Sequence, residues 1–183
     1  MSKPLNVNLS REIAERIDSK ATDCFNNAYQ AALLTEGAIY VQGFLVSAIE
    51  PCILVEYGWI EFEEQIVDPT FVHLNQDAQT LYYFPAQCLS VKQLTAAVEE
   101  AQEDYPEDEP LPIYGDSPYE YYGELMLGGA EYLRAHENAE AKCRELKSST
   151  TSADDTKERL YPELRGTYHD GQNLDVTDES LLE

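Results

Sequence analysis

The sequence predicts an α+β fold, with two short helices, a block of antiparallel strands and then further helices. Three observations carry this. Phe25, Ala28, Tyr29, Ala32 and Leu33 recur at helical spacing. Residues 38–68 form a β-branched and aromatic block broken at Glu50-Pro51 and ended by Pro69. Past Ser90 the helical period returns.

Taken in order, Ser10 is placed to cap a first helix over residues 11–18. Thr22 or Asp23 caps a second, which stops near Gly37. Residues 38–47 and 53–62 read as two strands. On the second strand Val55, Tyr57 and Trp59 share one face, with Leu54, Gly58 and Ile60 on the other. Glu63-Glu64-Gln65 turns the chain into a third strand, Ile66-Val67-Asp68. Leu81-Tyr82-Tyr83-Phe84 is a fourth, stopped by Pro85. Ser90 caps a helix to about residue 103 with Val91, Leu94, Thr95 and Val98 inward. Pro106, Pro110, Pro112 and Pro118 make residues 105–118 an extended connection. A helical region follows over 119–147, kinked at Gly128-Gly129, and Ser148-Ser149-Thr150-Thr151-Ser152 reads as a linker. The expected organisation is an N-terminal helix at 1–20, an α+β core at 21–104, an acidic Tyr/Pro-rich segment with a helical extension at 105–147, and a linker with an acidic tail at 148–183.

Composition narrows the function classes. The 183 residues carry 35 acidic and 12 basic side chains, a formal charge of −23. Residues 21–133 hold Lys92 as their one base, and they account for −19 of that charge. Such a chain lacks the cations that neutralise phosphates, so direct nucleic-acid contact and anionic membrane surfaces are disfavoured. The N-terminal residues have no apolar run like that of a signal peptide. No stretch reaches the roughly 20 apolar residues a membrane span needs, so a cytoplasmic protein is expected. Cys24, Cys52, Cys88 and Cys143 share no CxxC spacing and are expected as reduced thiols, with Cys52 and Cys88 in the sheet or core. His73, His136 and His169 are scattered, so neither a metal nor a cofactor is expected.

The densest acidic run, residues 99–110, has seven acids and no base. It serves either as a solvated, solubilising stretch or as a surface for a basic protein partner. For the second role Glu107, Asp108 and Glu109 supply charge, while Tyr119, Tyr121 and Tyr122 supply rigid apolar anchors with polar tips.

One constellation carries chemistry. Cys24 begins the second helix, where unpaired N–H groups and the helix dipole favour a thiolate. Tyr57 and Asp68 follow on neighbouring strands. The segments Asp23-Cys24-Phe25-Asn26-Asn27-Ala28, Tyr40-Val41-Gln42-Gly43, Glu56-Tyr57-Gly58-Trp59 and Val67-Asp68-Pro69-Thr70 resemble those of small bacterial and phage proteins with a papain-like or transglutaminase-like core. The resemblance covers about residues 20–90 and implies Cys24 as nucleophile and Asp68 as orienting acid. Tyr57 stands where those relatives carry the catalytic His.

A phenol cannot become the cation that pairs with a thiolate, and losing a general acid–base group forfeits about 10²–10⁴ in rate. Asp23 beside Cys24 works against ionisation too. The resemblance therefore implies a catalytically impaired relative of thiol hydrolases that binds a partner. Two alternatives stand beside it. One is an active thiol hydrolase or amide-transfer enzyme that uses His73 or a remodelled site. The other is an acidic decoy occupying a basic or nucleic-acid-binding surface.

Overall fold

The four-stranded antiparallel sheet is built on a hairpin of two long strands, β1 (Ile39–Ser47) and β2 (Ile53–Phe62), paired in unbroken register from Ile39↔Glu61 to Ser47↔Ile53. Glu63 and Glu64, both at positive φ, make a two-residue turn into β3 (Gln65–Val67). β4 (Leu81–Ser90) pairs with the other side of β1, giving the order β3-β2-β1-β4. A computed structural model, this structure describes residues 3–114, 119–122 and 125–160.

Helices α1 (Val7–Ile17), α2 (Cys24–Leu34) and α4 (Val91–Asp104) pack on one face of the sheet. Ile13, Ala28, Ala31, Ala32, Leu94 and Val98 bury against Tyr40, Ile60 and Val67. Further along β1, Phe44 and Val46 project to the same face by strand alternation. They are covered by Tyr132, Ala135, Ala139 and Cys143 of α5 (Gly129–Leu160). Val41, Leu45, Tyr57 and Trp59 form the opposite face with Tyr83 and with Phe71 of the short helix α3 (Phe71–Leu74). Both faces of β1 are therefore buried, which explains a run with no polar alternation. Two further strands, β5 (Tyr119–Tyr122) and β6 (Leu125–Gly128), form a separate antiparallel pair. The chain divides into two units, Met1–Lys147 and Ser148–Glu183; of the second, residues 148–160 are helical.

Several expectations need correction. Asn6, not Ser10, caps α1, its Oδ1 accepting from the Leu9 amide at 3.0 Å. Ser10 lies inside the helix, fully buried, and its hydroxyl serves a residue far along the chain. On α2, Leu33 is 47% exposed, while Asn27 and Ala31 join the buried side. β4 does not stop at Pro85. It continues to Ser90 through a register shift opposite Gln42/Gly43, because an edge strand at a bulge tolerates a residue with no N–H. Gly43 is required there, since an added Cβ would lie 2.1 Å from the Phe84 carbonyl oxygen.

The expected helix at residue 119 is instead the β5–β6 pair. Its Tyr-Glu-Tyr-Tyr and Leu-Met-Leu segments are β-formers, and α5 begins only at Gly129. Residues 148–152, expected as a linker, are helical. Cys52 and Cys143, expected as reduced thiols, are joined in a disulfide that ties the start of β2 to α5, leaving Cys24 and Cys88 free. Only proximity in the fold could have shown this, because the two cysteines are 91 residues apart.

The disulfide predicts a simple count. Denatured without reductant, the protein should label at two cysteines, Cys24 and Cys88, and after reduction at four. Reduction should also lower stability by about 2–4 kcal/mol, since the bond closes a long loop in the unfolded chain. Intact-mass analysis and urea denaturation with and without reductant check both parts.

Candidate functional site

Asp68 follows β3 and is fully buried. Its side chain closes an Asx turn, with Oδ1 accepting from the amides of Thr70 at 2.8 Å and Phe71 at 3.2 Å. Oδ2 accepts from the hydroxyls of Tyr83 at 2.8 Å and Tyr57 at 3.2 Å. Its own amide donates to Ser10 Oγ at 2.9 Å, and that hydroxyl in turn donates to the Asn6 carbonyl. Burial pushes the Asp68 carboxyl up to about 6, with the donors from Tyr83, Thr70, Tyr57 and Phe71 acting in the opposite sense.

Cys24 opens α2 over the edge of β2. β3 pairs only with Ile60 to Phe62, so β2 is open to the helix at Gly58. There the Gly58 N–H lies close enough to the Cys24 sulfur to favour its ionised form. Glycine makes the approach possible, because an added Cβ would meet Phe25 Cδ1 at 3.0 Å, Phe25 Cα at 3.1 Å and the Cys24 carbonyl oxygen at 3.3 Å. Cys24 also packs against the cluster that contains Tyr57 and Trp59. Asn27, one turn along α2, locks this end in place. Its amide donates to the Lys20 carbonyl and to Thr70 Oγ1, and its Oδ1 accepts from the Lys20 amide.

The structure thus brings Cys24, Tyr57 and Asp68 to one place. Its electrostatics do not favour a thiolate. Burial pushes the Cys24 thiol up to about 11 and the negative charge of Asp68 adds to this, while N–H groups of Gly58 and of the helix start oppose it. At neutral pH only about one such thiol in 10⁴ is ionised. Tyr57 offers no help: its hydroxyl is committed to Asp68, and burial pushes its own ionisation far above the usual phenol range. His73 does not reach the site as a substitute base. Its Nε2 is held by the hydroxyl and carbonyl of Ser19, beyond the end of α1.

Sequence reasoning missed Tyr83, Ser10 and Asn27, which hold the constellation together. Asn27 and Thr70 lay in the quoted motifs, but nothing local marked them as partners. Glu107, Asp108 and Glu109 are exposed. The side chains of Tyr119, Tyr121 and Tyr122 lie outside the described residues. Among the described residues no group of three or more His, Cys, Asp or Glu side chains is placed to hold a metal ion. No helix among them is long and apolar enough to cross a membrane. No protein-family model, curated protein or solved structure matches this chain.

The Asp68 cluster generates a pH-dependent prediction. Tyr83→Phe removes a hydroxyl donor from a buried carboxylate and should destabilise the fold by about 1–3 kcal/mol at pH 7.5. The folded-state carboxyl sits near 6, above its usual 3.8, so it carries its proton at pH 4.5 and needs the donor less. The loss should therefore shrink at pH 4.5, as read by urea denaturation of the variant and the wild type at both pH values.

Proposed function

We propose that this chain is a protein-binding module that retains the layout of a papain-like or transglutaminase-like thiol hydrolase without its chemistry, and that it docks a Lys/Arg-rich protein. The observation that carries the first half is the state of Cys24. Burial pushes its thiol up to about 11, and its expected base position is filled by Tyr57, which donates to Asp68. A hydrolase of this type needs a nucleophile that is substantially ionised, or a base poised to ionise it, near its working pH.

The second half rests on charge. Residues 103–109 are exposed throughout and hold five carboxylates. Beside them, a groove of about 870 Å³ runs between α2 and α4. Asp23, Glu99 and Glu109 line it with Phe25, Tyr29 and one cation, Lys20, which is itself paired with Asp18. A guanidinium or ammonium group on an extended chain suits such a lining, which offers carboxylates for the charge and ring faces for the stem. Carboxylates around an exposed groove act chiefly on encounter rate, and salt screens them.

Two outcomes test the two halves separately. Cys24 alkylation by iodoacetamide should be slow at pH 7 and rise about tenfold per pH unit to near pH 11, with exposed Cys88 modified first. Rapid, Cys24-selective labelling near pH 6 would overturn the impaired-site reading in favour of an active thiol enzyme. For docking, the probe is an arginine-rich peptide followed by surface plasmon resonance in 50 and 300 mM salt. Changing Glu107, Asp108 and Glu109 together to Ser should lower the association rate by about tenfold at low salt and flatten the salt dependence. An unchanged rate would reduce the acidic run to a solubility device. Equal competition by the protein for any basic nucleic-acid-binding surface would favour the decoy reading.

A further inference from the structure

Between the acidic run and β5, residues 110–114 lie across the helix-covered face of the sheet. Gln42, fully buried on β1, holds them there. Its Oε1 accepts from the Ile113 amide at 2.7 Å, and its Nε2 donates to the Ile113 carbonyl at 2.8 Å. The same Oε1 accepts from the Tyr40 hydroxyl and the same Nε2 donates to the Tyr132 hydroxyl of α5, so all four hydrogen-bonding positions of the amide are used. Leu111 and Ile113 pack against the core under α2 and α4, and Tyr114 against the core under α5.

The second anchor of this segment is less settled. The Tyr114 hydroxyl donates to Glu56 Oε2 at 2.8 Å, but Glu56 Oε1 is buried without a full hydrogen bond, the Tyr132 hydroxyl being near enough only to favour the ionised form. A carboxylate has about four acceptor sites, and a buried one short of donors is better accommodated with its proton on. Among the described residues the groups facing it are neutral. Tyr114 faces it from the segment and Tyr132 from α5, with Tyr40 of β1 beyond them. His136, one turn further along α5, packs edge-on to Phe44, which is paired directly with Glu56 across the β1–β2 ladder.

We propose that residues 110–114 form a proton-controlled strap, seated across the sheet while the Glu56 carboxyl keeps its proton and released when that carboxyl ionises. Release would leave Gln42 and Tyr132 without their strap-side order and free the far end of the acidic run at Glu107, Asp108 and Glu109. The proposal does not depend on what that run binds. Burial pushes the seated Glu56 carboxyl up to about 7, against 4.5 for the free group, with the hydroxyls of Tyr114 and Tyr132 acting in the opposite sense. A pKa raised in the seated form means that seating is favoured at low pH and weakened as pH rises through 7. For a fully solvated released carboxyl, the ratio of released to seated strap grows by about tenfold between pH 6 and pH 8.

Amide hydrogen exchange on the full chain, corrected for the intrinsic rate, reads this ratio at Ile113. Its protection should fall up to about tenfold from pH 6 to pH 8, while amides of β1 keep theirs. Glu56→Gln should remain protected at pH 8 and lose the pH dependence. Tyr114→Phe removes a donor to the ionised form, so its midpoint should move to higher pH. Equal protection of wild-type Ile113 at pH 6 and pH 8 would overturn the proposal. So would a pH dependence that survives Glu56→Gln, which would assign the effect to another group, His136 first. Should Glu56→Gln fail to fold, an unmoved midpoint in Tyr114→Phe overturns the proposal and an upward shift supports it.

Discussion

The arrangement around Cys24 depends on the burial of one carboxyl group, that of Asp68. A buried carboxylate must be met by donors or carry its proton. Here four donors come from three segments: two amides of the turn into α3, a tyrosine from β2 and a tyrosine from β4. The Asp68 amide reaches a fourth segment, α1, through Ser10. One residue thus joins both outer parts of the sheet to the N-terminal helix. The same bonds set the chemistry of the neighbouring thiol. They hold the Tyr57 hydroxyl away from any role as a base, and they place negative charge where it opposes ionisation of Cys24.

On the other face Gln42 plays a comparable part with a neutral group. An amide can be buried completely at little cost when every donor and acceptor is matched, and Gln42 meets that condition across β1, residues 110–114 and α5. Glu56, two positions before Gly58 on β2, does not meet it, because one oxygen lacks a full hydrogen bond. The contrast between a satisfied amide and an under-satisfied acid on one face is what makes the segment over them sensitive to protons.

The charge distribution follows the same division between interior and surface. In the interior the Asp68 carboxylate is held by a network of donors. The carboxylates of residues 103–109 stay in water, where they need no partner. A strongly acidic protein can therefore retain an ordinary apolar core of Tyr40, Trp59, Ile60 and Leu94. The cost of its charge is borne at the surface as mutual repulsion, which solvent and salt reduce.

The sequence by itself determined those elements whose signals are local. Strand periodicity set β2 at Ile53–Phe62. The hydroxyl of Ser90 and the amide of Gln93 form the capping box that starts α4, within four residues of each other. The meeting of Cys24, Tyr57 and Asp68 was legible only through short motifs taken together. Tertiary structure decided the rest, because the deciding partner lay elsewhere in the chain. Ser10 looked like a cap, but its hydroxyl bonds a residue 58 positions away. Pro85 looked like a stop, but an edge position and a bulge at Gly43 let the strand continue. Cys52 and Cys143 looked like separate thiols until β2 and α5 were packed together. The Gln42–Ile113 and Glu56–Tyr114 pairs span 71 and 58 residues, and no periodicity encodes them. Hydrogen bonds and burial act through space, so a polar side chain in a sequence shows what it can bond, and only the fold shows which partner it has.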